Sequence, residues 1–307
     1  MQKILVIMGP TASGKSSLAL EAAKLYHGEI VSADSMQLYK GLEIGTAQPT
    51  ITERACVPHH LVGIWNISER ADVFTFQTLA DSAISDIRSR GKLAVVAGGT
   101  GLYLKNLLYG LDDMPGDREL RNELDDLYDA PEKEEALKIR MAELDPEALA
   151  KFQLCRRRLI RALEVKLLTG KSILELQSNS TPKLRYPNIC AIKLDVAPDE
   201  LAEKIAVRAK QMLDCGWIEE AQKAINSGLL QTPTAHQALG YKIIAEYLDG
   251  KISKDKLYEK ICAATRQYAR RQRTWFRHQH PEAIPMTVKE ARDFISQSED
   301  ILCKEHK

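Results

Sequence analysis

The sequence predicts an α/β fold, a parallel sheet flanked by helices and interrupted by an all-α insertion, on three observations. Short apolar runs alternate with amphipathic helical segments through the N-terminal third. A glycine-rich turn joins the first run to the first helix, and helical patterns then follow one another from 113 to 184 with no strand between them.

Ile4–Met8, Glu29–Ser32 and Leu93–Ala97 are short enough to be buried parallel strands. Between them, 16–26 sets Leu18, Ala19, Ala22, Ala23 and Leu25 on one helical face, and 76–88 repeats this with Leu79, Ala80, Ala83, Ile84 and Ile87. After Leu111 the texture changes: eleven acids crowd 112–135 against Arg118, Arg121 and Lys133. Asp145 before Pro146 starts a helix, because Asp caps free amides and Pro suits the first turn; Thr169-Gly170 ends the next one. Thr181-Pro182 and Tyr186-Pro187 punctuate a loop, and Ile189–Leu194 returns as a strand. The predicted division is a core of 1–112 and 185–307 with a helical insertion, 113–184. Beyond Asp199 the pattern is mostly helical, with breaks at Gly228 and Pro233.

At 307 residues the chain has room for about two domains. Lysine plus arginine number 43 against 42 acids, a net charge of +1, so no whole-molecule field marks a nonspecific polyanion or membrane binder unless the charges are sorted in space. The six cysteines lack the close spacing of a zinc or dithiol site. Lys3–Met8 is too short for a signal peptide or a span, so the expected setting is the reducing cytoplasm, with no membrane partner.

Gly9-Pro10-Thr11-Ala12-Ser13-Gly14-Lys15-Ser16 fits G-x-x-x-x-G-K-[ST], with strand before and helix after. This marks the sheet as P-loop NTPase-like. Glycines let amides curl round a phosphate, the helix N-terminus adds positive charge, Lys15 neutralises oxygens, and Ser16 is placed to ligate Mg2+. The motif does not distinguish a diphosphate from a triphosphate. An ordinary P-loop NTPase ends a hydrophobic strand in a magnesium-holding acid. Here the third strand runs into Gly98-Gly99-Thr100-Gly101, and the second runs into Asp34 at the sheet's carboxyl edge, where open α/β sheets bind ligands. From position alone Asp34 serves equally as a helix cap, a magnesium second shell or a base.

Asp34-Ser35-Met36-Gln37-Leu38-Tyr39, Gly45-Thr46-Ala47, Pro58-His59-His60-Leu61, Gly98-Gly99-Thr100-Gly101-Leu102-Tyr103, Arg161-Ala162-Leu163-Glu164-Val165, Thr169-Gly170-Lys171, Gly240-Tyr241-Lys242 and the run from Thr265 to Phe276 together resemble the tRNA dimethylallyltransferase family. The resemblance runs in order from residue 4 to about 277. It implies transfer of a dimethylallyl group from dimethylallyl diphosphate to the exocyclic amine of the adenine 3′ of the tRNA anticodon. It places the donor diphosphate on Gly9 to Ser16 and the adenine against Asp34, Ser35, Met36 and Gln37. Asp34 would be the base and Thr100 would stand beside the reacting centre. Arg121 and the segment Arg157, Arg158, Leu159, Ile160 and Arg161 would contact tRNA. Leu154-Cys155 and Arg157-Arg158 stand where the family usually has Asn-Asp and Gln-Arg, and Ile243 where it has Glu; these bear on RNA contacts and neighbouring bonds, not the reaction.

The chemistry is coherent by itself. An adenine amine is a weak nucleophile that a carboxylate assists by taking its proton, and an allylic diphosphate ionises readily once its charge is gathered. The adenine must leave its stack, which is easier in a loop than in a duplex. A basic surface is then needed. On a helix, Arg266, Arg270, Arg273 and Arg277 form one stripe with Ala264, Tyr268 and Trp275 opposite, and no acid occurs from 261 to 280. Arg156, Arg157, Arg158 and Arg161 form a second cluster. Either by itself reads as a solvated face; the two together on a diphosphate-loop protein read as RNA contact. Tyr268, Trp275 and Phe276 read as core packing, His59 and His60 as structural. Arg208 reads first as an exposed helical arginine and second as a lid arginine over the diphosphate. Competing readings are an isopentenyltransferase using free AMP, a P-loop small-molecule kinase and a noncatalytic RNA-binding module. The expected state is a monomer.

Overall fold

The computed structural model describes residues 4–110, 114–178 and 183–299. Asp112, Asp113, Thr181-Pro182 and Cys303 lie outside them. The described elements run β1 (Ile4–Met8), α1 (Lys15–Leu25), β2 (Glu29–Ser32), α2 (Ile51–Cys56), β3 (His59–His60), α3 (Val73–Ser89), β4 (Ala94–Gly98) and α4 (Gly101–Tyr109). Then come α5 (Arg118–Tyr128), α6 (Glu134–Leu144), α7 (Pro146–Phe152), α8 (Arg156–Thr169) and α9 (Ile173–Ser178). The chain finishes with β5 (Ile189–Leu194), α10 (Pro198–Asp214), α11 (Trp217–Asn226), α12 (Tyr241–Leu248), α13 (Lys254–Gln279), β6 (Ile284–Met286) and α14 (Val288–Ser296).

The sheet is parallel throughout, in the order β3-β2-β4-β1-β5-β6. Met8 pairs with Gly98 on one side and Lys193 on the other, and Ser32 pairs with Ala97. That register brings Gly9, Asp34 and Gly99 to one edge, just beyond the carboxyl ends of three adjacent strands. The strands are buried on both faces, which explains their nearly unbroken apolar runs. On one face Leu5, Ile7, Val95 and Ile192 pack with Leu18, Ala19, Ala22 and Ala23 of α1. β3 and β6 are absent from the sequence expectation: two and three residues are too few to carry a period.

Contacts divide the chain into two compact units, Met1–Leu108 with Tyr186–Lys307, and Tyr109–Arg185. The second is all helix, its core built from Leu124, Leu137, Met141, Phe152, Leu159, Ile160 and Leu163. Asp145 caps α7 by accepting the Ala148 N–H at 3.1 Å, and Gly170 closes α8 at a φ of 70°, where a side chain would be strained. Among the described residues no helix is long and apolar enough to cross a membrane.

Candidate active site

Past β1 the chain turns left-handed at Ala12 (φ 62°) and Gly14 (φ 92°), the alternation that curls successive amides toward an anion. α1 begins at Lys15 with no side-chain cap and no acid in its first turn, so its leading amides and dipole remain available. The Ser13 hydroxyl is buried without a partner. Lys15 is buried and donates to the Pro10 carbonyl at 3.1 Å. Burial pulls its ammonium down to about 8; Asp34 opposes that shift and Arg208 adds to it.

A methyl group at Gly98 would overlap the Ala33 backbone, and this close crossing lets Thr100 N–H donate to the Ala33 carbonyl at 3.2 Å. Thr100 Oγ1 in turn accepts the Ser35 N–H at 3.0 Å, and its hydroxyl also meets the Tyr268 phenol. Asp34 accepts the Met36 N–H at 3.0 Å through Oδ1, which orients the carboxylate in a tight turn. Gln37 is engaged elsewhere: Ser32 Oγ donates to its Oε1 at 2.8 Å, and its Nε2 donates to the carbonyls of Thr46 and Ala47 at 3.2 and 2.9 Å. It braces the cavity wall formed by Gly45 and Thr46.

Thr11, Lys15, Asp34, Ser35 and Met36 line one cavity of about 350 Å3. Arg208 lines it too, so the first reading of that residue as an exposed helical arginine is corrected. Burial holds its guanidinium below its ordinary value while Asp34 opposes this. Tyr268 also faces this cavity, a departure from the core packing expected of it. Gln272, buried within α13, accepts the Thr11 N–H at 2.8 Å and donates to the Gly99 carbonyl at 2.8 Å. It joins the phosphate loop to the Gly98–Gly101 turn. Nothing in its spacing announces this; a buried amide on an arginine-rich helix, four residues from Tyr268, is the only signal. His60 and His59 are structural: His60 Nε2 meets Glu29 Oε2 at 2.8 Å, and His59 Nδ1 meets the Val57 carbonyl at 2.8 Å.

The insertion unit arranges its arginines in two ways. Arg121 and Arg161 turn inward onto Glu164, itself 2% exposed; Arg161 lies 2.7 Å from that carboxylate and also donates to the Met114 carbonyl at 3.1 Å. Leu159 and Ile160 are buried in the helical core, where their side chains pack. Arg157, an exposed residue 3.6 Å from Asp129, and Arg158, over the Phe152 ring at 6.0 Å, remain on the surface. Arg156 pairs with Asp129 at 3.0 Å.

Fold and cavity together define a phosphate-loop α/β protein in which the loop's lysine and a strand-end acid share one chamber. The IPP transferase family model matches residues 37–279, and an isopentenyl transferase model matches 2–57. The chain belongs to the IPP transferase family. It is 42% identical to "tRNA dimethylallyltransferase 1" of Citrifermentans bemidjiense over 89% of either chain, and 41% identical to the tRNA dimethylallyltransferase of an Exiguobacterium strain over 90% of this chain and 88% of the relative. Among solved structures, the tRNA isopentenylpyrophosphate transferase of Bacillus halodurans superposes with a TM-score of 0.71 at 34% identity, covering 98% of this chain and 97% of that one. A eukaryotic dimethylallyltransferase acting on tRNA gives 0.79 at 28% identity, covering 97% and 76%.

Proposed function

We propose that this chain transfers the dimethylallyl group of dimethylallyl diphosphate to the N6 amine of the adenine 3′ of the anticodon in tRNA, releasing diphosphate. The observation that carries the reading is the placement of Lys15 and Asp34 in one cavity: an anion-binding cation and a proton acceptor on the same chamber. Such a pair can gather the charge of a departing allylic diphosphate and take the proton of the attacking amine.

The Gly9–Ser16 loop, Lys15 and Arg208 gather the diphosphate charge. Asp34 takes the amine proton as the N–C bond forms, and Thr100 fixes the Ser35 backbone beside it. Magnesium binds few protein ligands and shares substrate oxygens: the exposed Ser16 at the start of α1 would hold it together with the diphosphate. When bound, the ion would neutralise charge on the leaving group. Arg157 and Arg158 serve the tRNA surface. The five described cysteines are all free, which supports a reducing, cytoplasmic setting, and we take the working unit to be a monomer.

The test supplies labelled dimethylallyl diphosphate with either unmodified tRNA or AMP. Label in tRNA, recovered as N6-isopentenyladenosine by mass spectrometry, is the expected outcome; label only in AMP, or phosphate transfer from ATP, overturns the reading.

A further inference from the structure

The cavity lining is mixed: it includes the polar Lys15, Asp34, Arg208 and Gln272 and the apolar Ile205, Ala209, Met212, Trp217, Leu239 and Ile261. With a diphosphate on the phosphate loop, the hydrocarbon attached to it extends toward the apolar lining, where its transfer out of water is favourable.

Trp217 is held there unlike its neighbours. It is 2% exposed, and its indole occupies a slot between two glycines: a methyl group on either Gly45 or Gly240 would overlap the ring. Tyr241 meets it edge-on, with centroids 6.0 Å apart and planes at 79°. The Tyr241 hydroxyl donates to Glu220 at 2.7 Å, and the same carboxylate accepts the backbone N–H groups of Ile44 at 2.7 Å and Gly45 at 2.9 Å. Glu220 sits one turn along α11 from Trp217, so a single carboxylate ties together the ring's own helix, the tyrosine at its edge and one of the two glycine walls. Gln37 pins the far side of that wall through Thr46 and Ala47. Met212, half-buried on α10, is a flexible neighbour by contrast. A longer hydrocarbon could displace Met212, but not an indole wedged between two backbones.

We propose that Trp217, clamped by Gly45, Gly240 and the Glu220–Tyr241 pair, is the wall that limits the donor to a five-carbon prenyl group. Shortening it opens the chamber to a ten-carbon allylic diphosphate. The proposal rests on the transferase reading above. The step is unchanged: the N6 electron pair forms a bond to C1 of the prenyl chain, the C1–O bond breaks, diphosphate leaves with that bond's electrons, and the amine proton passes to Asp34.

The experiment measures transfer from dimethylallyl and geranyl diphosphate to unmodified tRNA by the full chain and by W217A, W217F and M212A. Equilibrium binding of both diphosphates is measured in parallel. The geranyl-to-dimethylallyl ratio of kcat/KM, taken within each variant, is expected to rise by about tenfold or more in W217A and less in W217F. M212A should leave it nearly unchanged. If W217A does not fold, W217F carries the test. An unchanged ratio in every folded Trp217 variant, or a larger rise in M212A, overturns the wall. If the wild-type chain leaves tRNA unmodified, the acceptor reading fails by itself: diphosphate binding that still discriminates at Trp217 supports the wall, and binding that does not discriminate overturns it.

Discussion

Strand β2 carries an acid near each end, and the two are treated in opposite ways. Glu29, at its amino end, is 2% exposed and surrounded: Arg90 at 2.5 and 2.9 Å, Lys92 at 2.7 Å and His60 at 2.8 Å all meet one carboxylate. Asp34, just past the carboxyl end, has one hydrogen bond to a backbone amide and faces a cavity with Lys15 and Arg208. A carboxylate whose lone pairs are all occupied has no capacity for a proton and serves only to hold strands and loops together. One fixed through a single oxygen is oriented and still able to react. Residue class is shared, but Glu29 is buried within β2 and Asp34 half-buried beyond its end; exposure and the number of partners separate structure from chemistry.

Replacing Asp34 with Asn sharpens that distinction most. Asn keeps an oxygen for the Met36 amide but cannot accept a proton, so transfer to tRNA should fall by about 100- to 10,000-fold in kcat while donor affinity barely changes. Single-turnover rates and diphosphate titration separate the two quantities. Transfer at the wild-type rate would show that Asp34 is as structural as Glu29.

Lys15 gives the next largest effect and has a sign that can be worked out. Its ammonium lies at about 8, below the ordinary 10.5. An arriving diphosphate favours the charged form, so binding takes up a proton, and donor affinity should decline above pH 8 by up to about tenfold per unit. For stability the sign reverses: the folded chain releases this proton before the unfolded chain does, so stability without ligand should rise between about 8 and 10.5 from this group. Calorimetry in buffers of different ionisation enthalpy reads the uptake directly. Affinity flat from pH 7 to 9.5 would mean that Lys15 is not what grips the anion.

What the sequence made legible follows the same division. The strands, the phosphate loop and Asp34 at a strand end could be read because each depends on local pattern: an apolar run, a glycine spacing, an acid where the run stops. Ala94–Gly98 begins and ends one residue later than expected, a displacement the Gly98–Ala33 crossing explains, since only the folded sheet shows that the strand can extend through a glycine. Gln272, Arg208 and Trp217 could not be assigned from pattern. Their roles depend on α10, α11 and α13 reaching the carboxyl edge of a sheet whose residues lie far away in the chain, and no period encodes that approach. Arg121 and Arg161 were legible as charges but not as inward-facing ones, because Glu164 looks like any helical acid until its burial is seen.

Glu29→Gln tests the structural end of β2. Breaking a buried ion pair commonly costs about 3–5 kcal/mol because a charge is stranded out of water. Arg90 and Lys92, however, are 38% and 41% exposed and recover hydration once released. A loss of about 1–3 kcal/mol is therefore expected, with transfer activity per folded molecule unchanged. Hydrogen bonds from Arg90 foremost, then Lys92 and His60, hold Glu29 well below the usual carboxylate range. The stabilisation is thus present above 4.5 and is lost as pH falls below it. Chemical unfolding at pH 7 and pH 3.5 should show the wild-type advantage shrinking at the lower value, and an advantage that persists would mean that packing, not charge, holds this end.

The smallest effect expected lies in the insertion, where the same rule sorts the arginines. Arg161 and Arg121 are occupied by Glu164, whereas exposed Arg158 rests over Phe152, and among the described residues no acid pairs with it at short range. A phosphate displaces counterions from an exposed guanidinium at little cost, but must compete with a buried carboxylate for an inward one. Arg158→Ala should therefore weaken tRNA binding by a few fold and lower the slope of log affinity against log salt by about 1, leaving the thermal midpoint unchanged. Arg161→Ala should do the reverse, lowering the midpoint with little change in that slope, because it leaves Glu164 buried with one partner fewer. Were the salt slope to drop for Arg161→Ala and not for Arg158→Ala, the inward arginines would be the RNA contacts, and occupancy by a carboxylate would not be what separates a structural charge from a functional one.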